Sequence, residues 1–145
     1  MKIEEKLQSV LHHEIPITQS MGLSVVKANE EIILLEAPLL ENINHKQSAF
    51  GGSLNTLATL AGWSLIWIHC NNLSFRSEIV IQSAKTDYKK AVRSNLEASC
   101  LCPNGTEMER FLKTLERRGK SRLKLDVTMN DGSVVFTGNY VVFKK

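Results

Sequence analysis

Cysteine is scarce: Cys70, Cys100 and Cys102 are the only three in 145 residues. An odd number without C-x-x-C spacing indicates neither a disulfide framework nor a zinc knuckle, and the three read as core or strand residues. Long apolar runs are also missing. A membrane span needs about 18 uninterrupted apolar residues, and the most hydrophobic stretch, Leu57 to Cys70, is broken by Thr59, Gly62 and Ser64. No membrane helix is expected. The first twenty residues carry acidic groups and lack an apolar block followed by a small-residue cleavage site, so no secretory signal is expected and a cytoplasmic location is. Charge of one sign is weak too, since 18 basic against 15 acidic residues leave a net +3. That surplus does not argue for nucleic acid, although Arg117, Arg118, Lys120, Arg122 and Lys124 form one local cluster for which a solvated helix end is the commoner explanation. No histidines stand at metal-ligand spacing, and no metal is expected. What is present is 43% apolar residues, enough for a single compact domain over residues 1–145 with a real core.

Along the chain, Ile3, Leu7, Val10 and Leu11 recur at helical spacing, with Glu4 and Glu5 in the first turn where they suit the helix dipole and Pro16 as a stop. LSVVKA and EIILLEA flank Asn29-Glu30-Glu31 and read as a hairpin. After a polar loop, Glu41 to Ser48, a Gly51-Gly52 pair opens SLNTLATLAGWSLIWIHC, about five helical turns that are apolar or small on nearly every face. Such a helix has to be buried, and with no membrane to hold it the wrapper must be a sheet. Glu78 to Val92 and Ser94 to Cys102 read as two strands joined at Arg93, the second with Leu96, Ala98, Cys100 and Cys102 on one face. Thr106-Glu107-Met108-Glu109 has the form of a capping box that opens a charged helix closed by Gly119. Leu123, Leu125, Val127 and Met129 alternate with Arg122, Lys124, Asp126 and Thr128, the pattern of a half-buried antiparallel strand. Asn130-Asp131-Gly132 turns that strand back into Ser133 to Phe143. The fold class is α+β.

That order of elements resembles the hotdog fold, an antiparallel sheet wrapped around a long central helix. The stretch Asn44-His45-Lys46-Gln47-Ser48-Ala49-Phe50-Gly51-Gly52 is similar to the lead-in to the central helix of hotdog acyl-CoA thioesterases. Asp87-Tyr88-Lys89-Lys90-Ala91-Val92, followed by Leu96-Glu97-Ala98, is similar to a Tyr-x-x-Pro-Ala strand motif of those proteins. The phrase AFGGSLNTLATLAGW with the later GKSRLKL resembles the thioesterase domain that also occurs fused behind acetyltransferase domains. Two departures are visible: Gln47 stands where many relatives have glycine, and Ala91 where a proline is common. The resemblance implies a homodimer, or a tetramer built from it, with sites between subunits, a small-molecule acyl thioester as substrate and no cofactor beyond the coenzyme A of that substrate.

Thioester hydrolysis needs a polarised carbonyl and an activated water or carboxylate. Gly51 and Gly52 suit the first task, since glycine admits close approach and the following helix offers its first amides; a tight turn for helix packing is an equal reading. For the second task many relatives carry Asp or Glu seven residues after the second glycine, where this chain has Thr59. Threonine has no useful basicity, so Thr59 either orients a water or bonds a carbonyl of its own helix. Asn44 matches the family motif and can hold water or a carbonyl, or serve as a turn residue. His45 has a pKa suited to a base, or is a plain loop histidine. Asn55 lies one turn before Thr59 and shares its face. The candidate catalytic set is Asn44, His45, Gly52, Asn55 and Thr59. Phe50, Gly51, Trp63, Tyr88, Lys90 and Arg93 form the candidate substrate-binding set, with Lys90 and Arg93 toward coenzyme A phosphates and Trp63 along an acyl tunnel or simply packed on the sheet. A non-catalytic acyl-thioester binding module is the alternative, while a dehydratase on the same fold is disfavoured by the missing early-loop histidine pattern.

Overall fold

A computed structural model describes all residues, 1–145. Its elements run α1 (Ile3–Glu14), α2 (Ile17–Ser20), β1 (Ser24–Ala28), β2 (Ile32–Ala37), α3 (Gly51–Cys70), β3 (Ser77–Tyr88), β4 (Leu96–Leu101), α4 (Glu107–Arg118), β5 (Lys120–Met129) and β6 (Val134–Lys144). The strands form one six-stranded sheet in the order β1-β2-β4-β5-β6-β3, antiparallel throughout. Its concave side wraps α3, whose Leu57, Ala58, Ala61, Leu65 and Ile66 are fully buried. This is the α+β hotdog architecture expected from the sequence.

The helix is held in depth as well as wrapped. Tyr140 on β6 is fully buried, and its hydroxyl donates to Thr59 O at 2.7 Å. A Cβ at Gly62 would fall on that same hydroxyl. Glycine at 62 thus lets the sheet approach α3 closely enough for the bond to form. Burial pushes the Tyr140 phenol well above its usual range, so the hydroxyl stays a neutral donor.

At the far side of the sheet, α1 protects the β1 edge. Gln8 Oε1 accepts the Val25 N–H at 2.8 Å and Glu4 Oε2 accepts the Ala28 N–H at 3.3 Å, so side chains of the helix take the place of a neighbouring strand. The hairpin turn is an Asn device: Asn29 Oδ1 accepts the amides of Glu31 and Ile32 at 2.8 and 3.0 Å. Gly119 closes α4 at φ 73°, as its place after Arg118 predicts.

Several details differ from the sequence expectation. Pro16 ends α1 and also opens a one-turn helix, α2, because proline's fixed φ suits a helix start. The first long strand stops at Tyr88, four residues before Val92, and residues 89–95 are a loop. It does not pair with β4 either: β3 lies at the sheet edge beside β6, while β4 sits between β2 and β5. The capping box does not form, since Thr106 makes no side-chain cap bond and its hydroxyl instead accepts from Arg110 Nη2 at 3.3 Å.

The Tyr140 contact makes a stability test. Gly62→Ala places a methyl against the phenol, and we expect a loss of roughly 1–3 kcal/mol in urea unfolding. Tyr140→Phe alone should cost about 1 kcal/mol; unaltered unfolding midpoints in both variants would contradict the role given to this pair.

Candidate functional site

The loop before α3 is built from asparagines. Asn42 is buried, and its amide donates to Met21 O at 2.9 Å and Pro38 O at 2.7 Å, while its own carbonyl accepts the Phe50 N–H at 2.7 Å. Asn44 ties the rest together. Its Oδ1 accepts the Lys46 and Ser48 amides at 2.8 and 3.1 Å, and its Nδ2 donates to Ser48 Oγ at 3.0 Å. Gln47 sits at φ 63°, the left-handed region where glycine is strain-free, a physical reason for the glycine that the family resemblance implies at this place. The Ala49 N–H then bonds Val92 O at 2.7 Å, which fastens the loop to the segment after β3.

Phe50 is extended and α3 begins at Gly51. The first intrahelical bond runs from the Leu54 N–H to Phe50 O, 3.1 Å, so the amides of Gly51, Gly52 and Ser53 point outward from the positive end of a 20-residue helix. A side chain at Gly52 would strike the Phe50 ring, and one at Gly51 would touch Tyr88.

Strand β3 supplies the wall. Its alternation sets Thr86 and Tyr88 toward α3 and Asp87 on the opposite face, opposite Val135. Tyr88 Oη donates to Gly51 O at 3.0 Å and Thr86 Oγ1 to Asn55 Oδ1 at 2.6 Å. The second bond ties Asn55 to the strand, and with Oδ1 on Thr86 its Nδ2 donor has no partner in the chain. Thr86 was missed in sequence; its signal was the i, i+2 relation to Tyr88 on one strand face. The Thr59 hydroxyl donates to Asn55 O at 2.8 Å, an internal helix bond.

Gly51, Gly52, Asn55, Thr59 and Tyr88 are therefore brought together, with Asn44 shaping the loop behind them. His45 is exposed and makes no hydrogen bond. Lys90 is exposed on the 89–95 loop, where its amide bonds Ser133 O at 3.1 Å, and Arg93 Nη1 donates to Lys46 O at 3.3 Å. Trp63 lies about 18 Å along the helix from Gly51 at 1.5 Å per residue. Its Nε1 donates to Ile79 O at 3.2 Å. With Trp67, Leu73, Phe75 and Ile79 it lines a cavity of about 680 Å³ whose rim carries Glu14, Arg76, Glu78 and Lys145.

The cysteines are arranged against nucleophilic use. Burial pushes the Cys70 thiol up to about 11 and that of Cys100 to about 12; Cys102 is also raised, by burial first and then by Glu30 and Glu31. Cys102 Sγ lies 3.8 Å from His69 Nε2, but that nitrogen is 2.9 Å from Glu30 O and donates there, so it cannot take the thiol proton. No group of three or more His, Cys, Asp or Glu side chains is placed to hold a metal ion.

A long helix wrapped by an antiparallel sheet, entered through a Phe-Gly-Gly lead-in, defines the hotdog class of protein. Within it, the chain belongs to the family described as "Putative thioesterase (yiiD_Cterm)", which matches residues 4–144. Among solved structures, a protein of unknown function from Chlorobaculum tepidum TLS is 30% identical over 99% of this chain and 95% of its own, at TM-score 0.93. A "putative thioesterase" from Shewanella oneidensis is 27% identical over 95% of both chains, at TM-score 0.82. A thioesterase from Haemophilus influenzae shares the fold at TM-score 0.65, with 15% identity over 99% of this chain and 92% of that one.

The raised thiols set a pH dependence. An unfolded thiol ionises near 9.0 while folded Cys70 and Cys100 hold their protons to about 11 and 12, so the stabilisation is complete below pH 9 and is lost as pH rises through the folded values. Urea unfolding at pH 8 to 10.5 should show stability falling above pH 9, and iodoacetamide at pH 8 should label Cys70 and Cys100 only in denaturant. Rapid labelling of both in the folded protein would contradict their burial.

Proposed function

We propose that the protein is a thioesterase that hydrolyses an acyl thioester of coenzyme A or an acyl carrier, in the cytoplasm, at a site shared between the subunits of a homodimer. The observation that carries this is the set of unpaired amides of Gly51, Gly52 and Ser53 at the start of α3, with the Asn55 side chain one turn on, above Gly51 and Gly52. Open donors at a helix start are what a thioester carbonyl needs as its oxygen gains charge, and the helix end adds positive potential there. Gly52 belongs in the oxyanion site, with Asn55 beside it. Thr59 and Asn44 are positioning residues, one bonding Asn55 O and one shaping the loop. His45, exposed beside the loop, is the one side chain here with base chemistry near neutrality. Phe50 and Tyr88 flank the thioester, and Lys90 and Arg93 stand where a phosphate of the pantetheine arm would pass. The likeness to the domain found fused behind acetyltransferase domains fits this assignment and adds no residue to it.

The dimer is supported by β3. This 12-residue strand has β6 on one side and nothing on the other, and its Val80 and Ile81 are 46% and 37% exposed. A long, apolar, unpaired edge is a template for another strand. Two-fold antiparallel pairing over the whole of β3 sets Ile79 against the partner's Thr86, since 79 and 86 sum to the same value as the strand ends 77 and 88. The cavity by Trp63 then adjoins the partner's Asn55 and Gly51, which makes Trp63 an acyl-binding residue of the shared site.

A panel of acyl-CoAs tests the activity. Asn55→Ala should lower kcat by roughly a hundredfold, the scale of losing one oxyanion donor, with KM little changed. Asn44→Ala should lose more activity than Thr59→Ala, and Thr59→Asp should raise turnover by supplying a base. If neither wild type nor Thr59→Asp cleaves any acyl-CoA or acyl-carrier thioester, the hydrolase reading fails and a binding module for acyl thioesters takes its place. Sedimentation at micromolar concentration should give a dimer mass; a strictly monomeric mass would refute the shared site.

A further inference from the structure

On the outer face of the sheet, away from α3, pairing lines up three rows: Lys120 with Phe143 and Glu78, Arg122 with Val141 and Val80, and Lys124 with Asn139 and Ser83. The β5 members are exposed cations in succession. The chain's two ion pairs, Lys113–Glu109 and Lys145–Glu78, engage none of them. Arg110 of α4 shares a groove with Arg122 and Lys124, with Glu107 as the single acid there. Asp126, the next outward residue on β5, accepts from the Thr137 hydroxyl at 2.7 Å and shares a second groove with Lys124 and Glu107, so the cationic stretch ends there. Between the cations and the sheet edge lies apolar surface: Phe143 is 38% exposed under Lys120 Nζ, 5.4 Å from its ring centroid, and Val80 lies beside it. Val80, Glu78 and Lys145 are also on the rim of the Trp63 cavity. A cationic, partly apolar face thus runs directly into the mouth of the acyl cavity.

We infer that this face docks an acidic carrier protein that presents the acyl chain on a pantetheine thiol, its acidic helix on Lys120, Arg122 and Lys124 and its arm entering beside Val80. The assignment rests on the thioesterase reading for what the arm delivers, and names its carrier. Charge complementarity selects the occupant: an acidic helix neutralises unpaired cations, whereas a second copy of this chain would bring the same cations against them. Pairing through the β3 edge leaves the face open, because an edge contact uses the backbone side of the strand. With β3 paired as proposed, Ser77 at the cavity would lie opposite Tyr88 of the second copy, so a carrier on one chain would feed the shared site.

The test is binding of a bacterial-type holo acyl carrier protein whose thiol carries a decanoyl chain through an uncleavable thioether, followed by anisotropy. Arg122→Glu/Lys124→Glu should raise Kd by roughly tenfold or more, Arg110→Glu should raise it less, added salt should weaken wild-type binding, and Lys27→Glu on β1 should leave it unchanged. Equal binding by the double variant, or no binding by wild type at tens of micromolar, overturns the inference. Tighter binding of a short single-stranded RNA, lost in the same double variant, also overturns it in favour of nucleic acid. Acyl-CoA cleavage without carrier binding removes the docking face and leaves the thioesterase standing; carrier binding without cleavage of any thioester removes the hydrolase and leaves the docking face standing.

Discussion

Everything in this molecule depends on covering α3. A helix with Leu54, Leu57, Leu60, Leu65, Ile66 and Ile68 spread around its circumference has no side that water solvates well, and each such side chain gains about 1.5–3 kcal/mol on burial. One sheet of antiparallel strands supplies the cover by curving. Its inner faces are the alternating apolar positions of β2, β4, β5 and β6, and the tightest approach is fixed by Tyr140 over Gly62. Because that phenol bonds the Thr59 carbonyl, the strand sets the rotation of the helix as well as its depth.

A single sheet cannot enclose a cylinder, and the residues left half-covered say where it fails. Asn55, Thr56, Thr59, Trp63 and Trp67 recur at helical spacing and form one stripe toward β3, while the faces toward β2, β4 and β6 are buried. The stripe starts at the outward amides of Gly51–Ser53 and ends at the tryptophan-lined cavity. Polar and apolar chemistry are thereby sorted along one helix: donors at the positive end, indole surface three turns on. The strand that borders the stripe is also the one with an unpaired edge, so the gap in the cover, the open amides and the free strand edge lie on one side of the molecule.

Much of this was legible from local pattern. The all-round apolar run at Leu54–Ile68 demanded burial, the strict alternation of Leu123 to Met129 gave β5 with its inside and outside, and Gly119 marked the end of α4. Strand order was not legible, because the placement of β3 beyond β6 depends on pairings between residues far apart in sequence, from Tyr88 with Val134 to Ser77 with Lys144, while its own alternation is blurred by exposure on both faces. Within the site, the match to the family lead-in located Asn44, Gly51 and Gly52. What Asn44 does was hidden, because an asparagine that binds a ligand and one that closes a loop have the same identity; only its bonds to Lys46 and Ser48 separate them. Thr86 was hidden for a similar reason, since its partner Asn55 is 31 residues away.

The absence of a carboxylate on the stripe shapes the chemistry that remains. Asp87 is the acid nearest in sequence to the β3 residues of the site, and strand alternation turns it to the outer face. Nothing anionic on the inner face then competes with a substrate for the amides of Gly51, Gly52 and Ser53, and the helix end holds its full positive potential toward the carbonyl oxygen. A carboxylate at position 59 would add a base and weaken that potential at the same time. The two contributions to thioester hydrolysis, stabilising the oxyanion and deprotonating the water, are thus weighted here toward the first. Preformed donors cost no reorganisation during reaction and can supply several kcal/mol by themselves, so the proposed hydrolysis would lean on oxyanion stabilisation more than on activation of the water. On the proposed reading, the acyl chain of a thioester would run from these donors along the stripe toward the tryptophan-lined cavity of about 680 Å³.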